Sequence, residues 1–154
     1  MMSPEGGPSP ELCNCLAARQ AARHITQLYD QFLAPTKLRT TQLSILVRLR
    51  RNGPMTINAL AEELLLDRTT LGRNIQPLRR EGLIAIARGR VDRRSKEVSL
   101  TAEGVTRMRA AIKRWAAAQA RFEAAFGSRR TAELRGLMHA VVASDLGSPA
   151  AVPA

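Results

Sequence analysis

Apolar residues recur at spacings of three and four along most of the chain, which is the period of an amphipathic helix. This pattern predicts a long first helix from about Glu11 to Leu33, ended by Pro35. Three shorter helices are predicted to follow it, and two more are predicted at the C-terminal end. The predicted ranges of these five helices are 40–51, 57–65, 68–81, 102–126 and 131–144.

Between the predicted helices 68–81 and 102–126, the pattern changes to the alternation that is typical of strands. Residues 83–87 and 97–100 flank a strongly charged turn, which predicts a two-stranded β-hairpin. Asp67 and Thr101 are expected to cap the helices that follow them, and Gly82 is expected to end a helix. The fold class is therefore predicted as mainly α with a small β-hairpin.

Two residues disagree with an ideal helix over 68–81. Gly72 costs about 1 kcal/mol relative to alanine inside a helix. Pro77 lacks the N–H that an interior position requires, so we expect it to kink the helix near its end.

The predicted elements form one domain over residues 11–146. Residues 1–10 and 147–154 are rich in Pro, Gly, Ser and Ala and are predicted to be disordered tails. The middle segment, about 40–101, is too small to bury the apolar stripes of the flanking helices, about 11–33 and 102–146. A second copy of the chain is the simplest cover for these stripes, which predicts a homodimer.

Positive charge concentrates in that middle segment. The chain has a net charge of +11, with 24 Lys and Arg against 13 Asp and Glu. Residues 68–96 alone carry +7, from nine basic and two acidic residues. A GC-rich genome could also inflate the arginine content, and a charged helix face can simply be solvated. The concentration of charge on one helix and one hairpin instead favours a nucleic-acid partner.

A helix that follows a short turn and carries exposed Thr and Arg is typical of a DNA recognition helix. Arginine can bind guanine and asparagine can bind adenine in the major groove, whereas arginines in a wing contact phosphates or the minor groove. We also expect Asp92 and Arg94 to pair inside the turn. The candidate DNA-binding residues are Arg68, Thr69, Thr70, Arg73 and Asn74 in the helix and Arg88, Arg90, Arg93 and Arg94 in the turn.

Other classes of protein find little support. No apolar run approaches the roughly 18 residues of a membrane helix, and the N-terminus lacks a secretory signal, so we expect a cytoplasmic protein without a membrane partner. No cluster of Cys and His has the spacing of a zinc site. No phosphate loop, nucleophile elbow or carboxylate pair is visible. We therefore predict no metal, no cofactor and no enzyme activity.

Several strings of residues resemble the multiple-antibiotic-resistance regulator (MarR) family. They are Leu60-Ala61-Glu62-Glu63-Leu64, Asp67-Arg68-Thr69-Thr70-Leu71, Leu78-Arg79-Arg80-Glu81-Gly82-Leu83-Ile84 and the segment Asp92 to Thr101 followed by Gly104. The resemblance covers about Cys13 to Phe126. It implies a winged helix-turn-helix homodimer built from its first and last helices, and a transcriptional regulator, most often a repressor, that releases DNA on binding a small molecule or on oxidation. Two-fold symmetry then implies an inverted-repeat operator in double-stranded DNA, with half-sites about one helical turn apart.

The same resemblance implies one possible switch, which is oxidation of a cysteine. The family's organic-hydroperoxide sensors carry a reactive cysteine early in the first helix, and Cys15 matches that position. Their thiolate is surrounded by tyrosines of the partner chain, of which Tyr29 matches one, while Arg19 and Thr40 stand where others are expected. Cys13 and Cys15 should point to opposite faces of a helix, so an internal disulfide between them is not expected. Cys15 could also be a small buried apolar residue.

A second possible switch is a small-molecule effector. Arg19 interrupts the apolar face of the first helix, and a charge there requires a partner, a ligand or solvent. An aromatic carboxylate would suit it, with Arg23, Tyr29 and Arg48 as further candidates for the ligand site. Alternatively, Arg19 pairs with Asp30 of the partner subunit. For the whole chain, the alternative to a regulator is an architectural DNA-binding protein without an effector.

Overall fold

The computed structural model describes residues 9–146 and contains six α-helices and three β-strands over that range. Short 3-10 turns at Pro10–Leu12 and Ala34–Thr36 flank the first helix. Of the predicted tails 1–10 and 147–154, residues 1–8 and 147–154 lie outside the described residues. The prediction is wrong for Ser9 and Pro10, because Ser9 caps the 3-10 turn that begins at Pro10. The elements in chain order are α1 (Asn14–Leu33), α2 (Thr40–Asn52), β1 (Met55–Thr56), α3 (Ile57–Glu63), α4 (Arg68–Arg80), β2 (Ile84–Arg88), β3 (Lys96–Leu100), α5 (Ala102–Phe126) and α6 (Ser128–Ala143).

The start of α1 differs from the prediction by three residues. Cys13 has an extended backbone, with φ −67° and ψ 110°, and therefore separates α1 from the 3-10 turn before it. Its Sγ accepts a hydrogen bond from the N–H of Leu16 at 3.4 Å, so Cys13 caps the helix instead of lying within it. The expectation that Cys13 and Cys15 occupy opposite faces of one helix is wrong for this reason.

The end of α3 and the start of α6 also differ from the prediction. The prediction that α3 reaches residue 65 is wrong, because Leu65 has a left-handed backbone, with φ 52°. The last helix starts at Ser128 rather than at Thr131. Pro77 does not end α4, which continues for one more turn to Arg80. Asp67, Thr56 and Thr101 cap their helices as side-chain acceptors, and for Asp67 and Thr101 this confirms the prediction.

The sheet has three strands, whereas a two-stranded hairpin was predicted. Strand β3 pairs antiparallel with β2 on one side, with Ile84 opposite Leu100, and with β1 on the other, with Met55 opposite Val98. Strand β1 was not predicted, because a strand of two residues is too short to show alternation. The short β1 anchors the hairpin to the segment that leads into α3.

A single apolar core fills the unit formed by the described residues up to Ala118. Its fully buried side chains come from the first four helices, the α4–β2 turn and β3, and each contributes roughly 1.5–3 kcal/mol relative to exposure. These side chains are Leu33, Ile45, Leu46, Leu60, Leu71, Leu78, Leu83 and Val98. The apolar spacing in α2 and α4 is thus explained by one shared core.

The junction of α4, β2 and α5 is held by a compact set of backbone bonds. The N–H of Leu83 donates to the carbonyl of Leu78 at 2.9 Å and that of Gly82 to Arg79 at 3.0 Å, which is a Schellman helix end. Leu83 therefore belongs to the helix end, and β2 starts one residue later than predicted. The carbonyl of Leu83 accepts from the N–H of Thr101 at 3.1 Å, so α5 starts directly on this turn.

Arg107 of α5 connects three parts of the same unit. Its guanidinium donates to the carbonyl of Thr36 at 3.2 Å and to the carboxylate of Glu81 at 3.1 Å, and lies 3.7 Å from Glu103. One side chain therefore joins the α1–α2 connection, the end of α4 and the first turn of α5.

The described residues from Gln119 onward form a second compact unit. Within it the rings of Phe122 and Phe126 lie 5.5 Å apart, and the guanidinium of Arg130 lies 4.2 Å from the centre of the Phe126 ring. Apolar side chains of α6 remain exposed, namely Leu137, Met138, Val141 and Val142.

Candidate nucleic-acid interface

The first turn of α4 is fixed by its cap. Asp67 accepts from the N–H of Thr70 at 2.8 Å and from its hydroxyl at 2.6 Å. These two bonds, the hydroxyl first, hold the pKa of the Asp67 carboxyl below its ordinary value of 3.8. The ionised cap therefore stabilises the fold at pH values above the ordinary pKa of 3.8. Its contribution to stability is lost as the pH falls through the lowered pKa. The hydroxyl of Thr70 therefore donates to the cap.

Helix α4 has one buried and one exposed face. Leu71, Ile75 and Leu78 are buried in the core. The opposite face presents polar side chains along the whole helix, and its exposed members are Thr69, Arg73, Gln76 and Arg80. Arg68 is also exposed, at the first position of the helix. This face has the donors and acceptors that base edges in a major groove require.

Asn74 is engaged within the chain. Its side-chain N–H donates to the carbonyl of Thr70 at 2.9 Å, and its carbonyl oxygen accepts from the hydroxyl of Thr41 at 2.9 Å. This arrangement connects α4 to α2. Reading of adenine by Asn74 stays a prediction, and it would require these bonds to be exchanged for bonds to a base.

Sequence reasoning missed Gln76. It lies seven residues after Thr69 and three after Arg73, so it falls on the same face of the predicted helix. The helical period alone could have identified it.

The wing is the turn between β2 and β3, and its shape is set by Asp92 and Gly89. Asp92 accepts from the backbone N–H of Arg94 at 2.9 Å, so the predicted pairing with Arg94 involves its backbone rather than its guanidinium. The carbonyl of Asp92 accepts from the N–H and hydroxyl of Ser95. Gly89 is buried, and a Cβ there would overlap the Ser95 hydroxyl and the Asp92 carbonyl. Arg88, at the end of β2, and the arginines of the turn (Arg90, Arg93 and Arg94) are all exposed.

Cations of α4 and of the wing meet at one depression of about 360 Å³. We call it the basic depression; it is lined by Thr56, Ile57, Asn58, Arg68, Arg94, Ser95 and Lys96. Three positive charges converge there from two elements that are far apart in the sequence. Lys96 and Asn58 were not predicted as site residues, because their approach to Arg68 depends on how β3 and α3 pack. An open depression with three cations can bind a phosphate group.

A second cavity, of about 450 Å³, lies between α2, the end of α3 and α5. It is lined by Thr40, Leu43, Ser44, Val47, Arg48, Leu64, Ile112 and Trp115. Of the predicted ligand-binding residues, Arg48 lines this cavity. Its guanidinium lies 3.4 Å from the carboxylate of Glu63. The cavity is mostly apolar with one cation at its edge.

The other three candidates for a ligand site are not brought to this cavity. Arg19 and Arg23 are exposed on α1. Tyr29 is buried in the same helix and does not line the cavity. Asp30, the alternative partner for Arg19, accepts two hydrogen bonds from Thr40 of its own chain, both at 2.7 Å. Of the four candidates, Arg48 lines this cavity, and a ligand site shared with the other three stays a prediction.

Both cysteines are free and exposed. The alternative that Cys15 is a small buried residue is therefore wrong within one chain. Cys15 lies in the first turn of α1, two residues after the capping Cys13.

Residues 9–146 contain no group of three or more His, Cys, Asp or Glu side chains positioned to hold a metal ion. No helix in that range is long and apolar enough to cross a bilayer.

Helices α2, α3 and α4 followed by the β2–β3 hairpin define the class of the protein, which is a winged helix-turn-helix protein. A sequence model of the MarR family matches residues 37–95, which span α2 to the wing. The chain belongs to the MarR family, whose members are transcriptional regulators.

Individual relatives agree with this assignment. The transcriptional regulator MosR of M. tuberculosis, solved in complex with DNA, is 35% identical, with a TM-score of 0.72 over 85% of this chain and 97% of that one. The organic hydroperoxide resistance transcriptional regulator of Bacillus subtilis (strain 168) is 31% identical over 61% of this chain, and the match spans 63% of its own length. The repressor CouR, bound to a DNA duplex, shares the fold at 23% identity, with a TM-score of 0.77 over 84% of this chain and 92% of that one.

Proposed function

We propose that the chain is a sequence-specific transcriptional regulator that acts as a homodimer on an inverted-repeat operator and represses the genes beside it. The observation that carries the proposal is the basic depression, where Arg68 of α4 lies with Arg94 of the wing and Lys96 of β3. A duplex held by these cations would lie against the exposed polar face of α4. The DNA-bound MosR, at 35% identity, supports this partner. Since its target is the chromosome, the proposed place of action is the cytoplasm.

The homodimer is supported by apolar side chains that one chain leaves exposed. At the start of α1, Leu12 and Leu16 are 60% and 50% exposed. In α6, Leu137 and Val142 are 67% and 63% exposed. Exposed apolar residues grouped at the two ends of the chain are typical of an interface between subunits. A two-fold dimer would present two copies of α4 to half-sites about one helical turn apart.

The first test compares two arginines, one in α4 and one in the wing. Arg73→Ala removes an exposed side chain from the reading face of α4 and should weaken operator binding by about 1–3 kcal/mol while leaving random DNA less affected. Arg90→Ala removes a wing cation and should weaken all DNA similarly. The measurement is fluorescence anisotropy with a labelled duplex from the intergenic region upstream of the gene and a random duplex of equal length.

Equal losses on both duplexes for Arg73→Ala would contradict the assignment of a reading role to this residue. If the unmodified protein binds both duplexes equally weakly and no additive changes this, the architectural alternative is favoured over the regulator.

A small aromatic acid is one proposed releasing signal. The cavity beside Arg48 offers apolar walls and one cation, which suits a ring with a carboxylate. Trp115, the single tryptophan of the chain, lines this cavity and is 41% exposed. A bound aromatic acid should therefore change its fluorescence at the same concentrations that release DNA. Release without any change at Trp115 would place the ligand elsewhere.

Oxidation of Cys15 is the other proposed signal, supported by its exposure and by the hydroperoxide-resistance regulator among the relatives. A peroxide would oxidise the thiolate to a sulfenic acid and be reduced to its alcohol. Cys15→Ser should abolish release of DNA by cumene hydroperoxide and preserve binding under reducing conditions. Cys13→Ser is the matched control, since it keeps Cys15 and should still respond. A Cys15→Ser protein that still dissociates on oxidation would exclude Cys15 as the sensor.

A further inference from the structure

Gly72 stands in the middle of α4, although glycine is unfavourable inside a helix. Glycine there costs about 1 kcal/mol relative to alanine, through the entropy of its free backbone. Such a position usually has a local reason, which is either a backbone that other residues rarely adopt or a neighbour too close for a Cβ.

Neither reason applies to Gly72. Among the seven glycines of residues 9–146, three have a positive φ and two would place a Cβ against neighbouring atoms; they are Gly53, Gly82 and Gly127, and Gly89 and Gly104 respectively. Gly72 has no positive φ, and a Cβ built on it meets no atom within 4 Å. Gly136 in α6 is the other glycine of this kind. The fold of the chain itself would therefore accept alanine at Gly72.

The position of Gly72 on α4 indicates which part of a bound DNA would lie in the space that a side chain would otherwise fill. It lies one turn after Arg68 and one turn before Gln76, and these two side chains flank it on the same side of the helix. Arg68 belongs to the basic depression, whereas Gln76 belongs to the exposed polar face. A DNA strand with a phosphate in the depression and bases against that face has to pass Gly72.

We propose that Gly72 is the point of closest approach between α4 and the sugar-phosphate backbone, so that its missing side chain sets how deeply the helix enters the groove. The inference rests on the proposed function and adds a positioning residue that carries no charge and no hydrogen-bonding side chain. A methyl group at this point would hold α4 away from the duplex and would weaken the contacts of its neighbours together.

The test measures stability and DNA binding on the same full-length variants. Gly72→Ala should raise Tm by about 2–4 °C, since alanine favours the helix and the space is open. It should also weaken binding to the upstream duplex at least roughly tenfold, and Gly72→Leu should weaken it further. Gly136→Ala is the control for the gain in helix stability, and it should raise Tm by a similar amount. Because α6 belongs to the proposed dimer interface, its anisotropy titration is compared after sedimentation shows that it is still a dimer, and it should then be unchanged.

Three results would overturn the inference. Gly72→Ala could bind the duplex as tightly as the unmodified chain, it could lower Tm, or Gly136→Ala could lose as much affinity. The last result, in a Gly136→Ala protein that is still dimeric, would show that added helix stability lowers affinity without a contact at Gly72. Failure of the proposed function is recognised separately, because an unmodified chain that binds no DNA removes the function and this inference together before any variant is compared.

Discussion

Replacing the three cations of the basic depression by alanine should lower affinity for DNA at least about 100-fold at 0.15 M salt, on operator and random duplexes alike. Arg68, Arg94 and Lys96 converge on one site, and contacts to phosphate carry no sequence information. A dimer would lose six such contacts. Each contributes about 0.9 to the slope of log K against log salt, so the slope should fall by about five.

The control for this triple variant removes three exposed cations from α5, namely Lys113, Arg114 and Arg121. It lowers the net charge equally but leaves the depression intact, so its salt slope should change little. Circular dichroism should show both variants folded, since the replaced side chains are exposed. If both triple variants lose affinity equally, DNA binding follows total charge and the depression is not a phosphate site.

Gly104→Ala is expected to destabilise the fold by about 1–3 kcal/mol or more, which is the usual cost of forcing an added methyl group into a packed site. A Cβ at Gly104 would overlap the carbonyl of Leu83 and approach the Leu100 side chain to 2.8 Å. Leu83 is part of the turn that ends α4, and its carbonyl already accepts from Thr101. The obstructing atom belongs to the backbone and cannot rotate away, so the start of α5 would have to move away from Leu83.

The measurement for Gly104→Ala is urea unfolding followed by circular dichroism, with the midpoint and the slope fitted together. Gly136→Ala provides the comparison, since its added methyl group meets nothing and should raise the midpoint. A Gly104→Ala protein as stable as the unmodified chain would mean that the start of α5 does not lie against Leu83 in solution.

The basic depression and Gly104 are linked through the segment between the end of α4 and the start of α5. The α4–β2 turn carries the start of α5, and the β2–β3 hairpin that follows carries Arg94 and Lys96 to Arg68. The hydroxyl of Thr101 donates to the carbonyl of Gly82 at 2.7 Å and accepts from the N–H of Gly104 at 3.0 Å. The geometry of the proposed DNA-binding surface therefore depends on a junction that lies outside the basic depression.

For the described residues, the sequence by itself determined the presence of the six α-helices, the class of fold and the family, because local signals agree over long stretches. The apolar period marked α2, α4 and α5, and short-range caps at Asp67 and Thr101 fixed two helix starts to the residue. The charge of residues 68–96 pointed to DNA, since charge is a property of composition and needs no coordinates.

Tertiary structure decided whatever depends on residues distant in sequence. Strand β1 exists only because β3 supplies its hydrogen bonds, and Lys96 and Asn58 join Arg68 only through the packing of the sheet on α3. Of the four residues predicted to bind a ligand, Arg48 lines the cavity between α2 and α5, whereas Arg19, Arg23 and Tyr29 do not. The reason is physical: helical period and capping act within a few residues, whereas the shape of a site is set by which elements share a core.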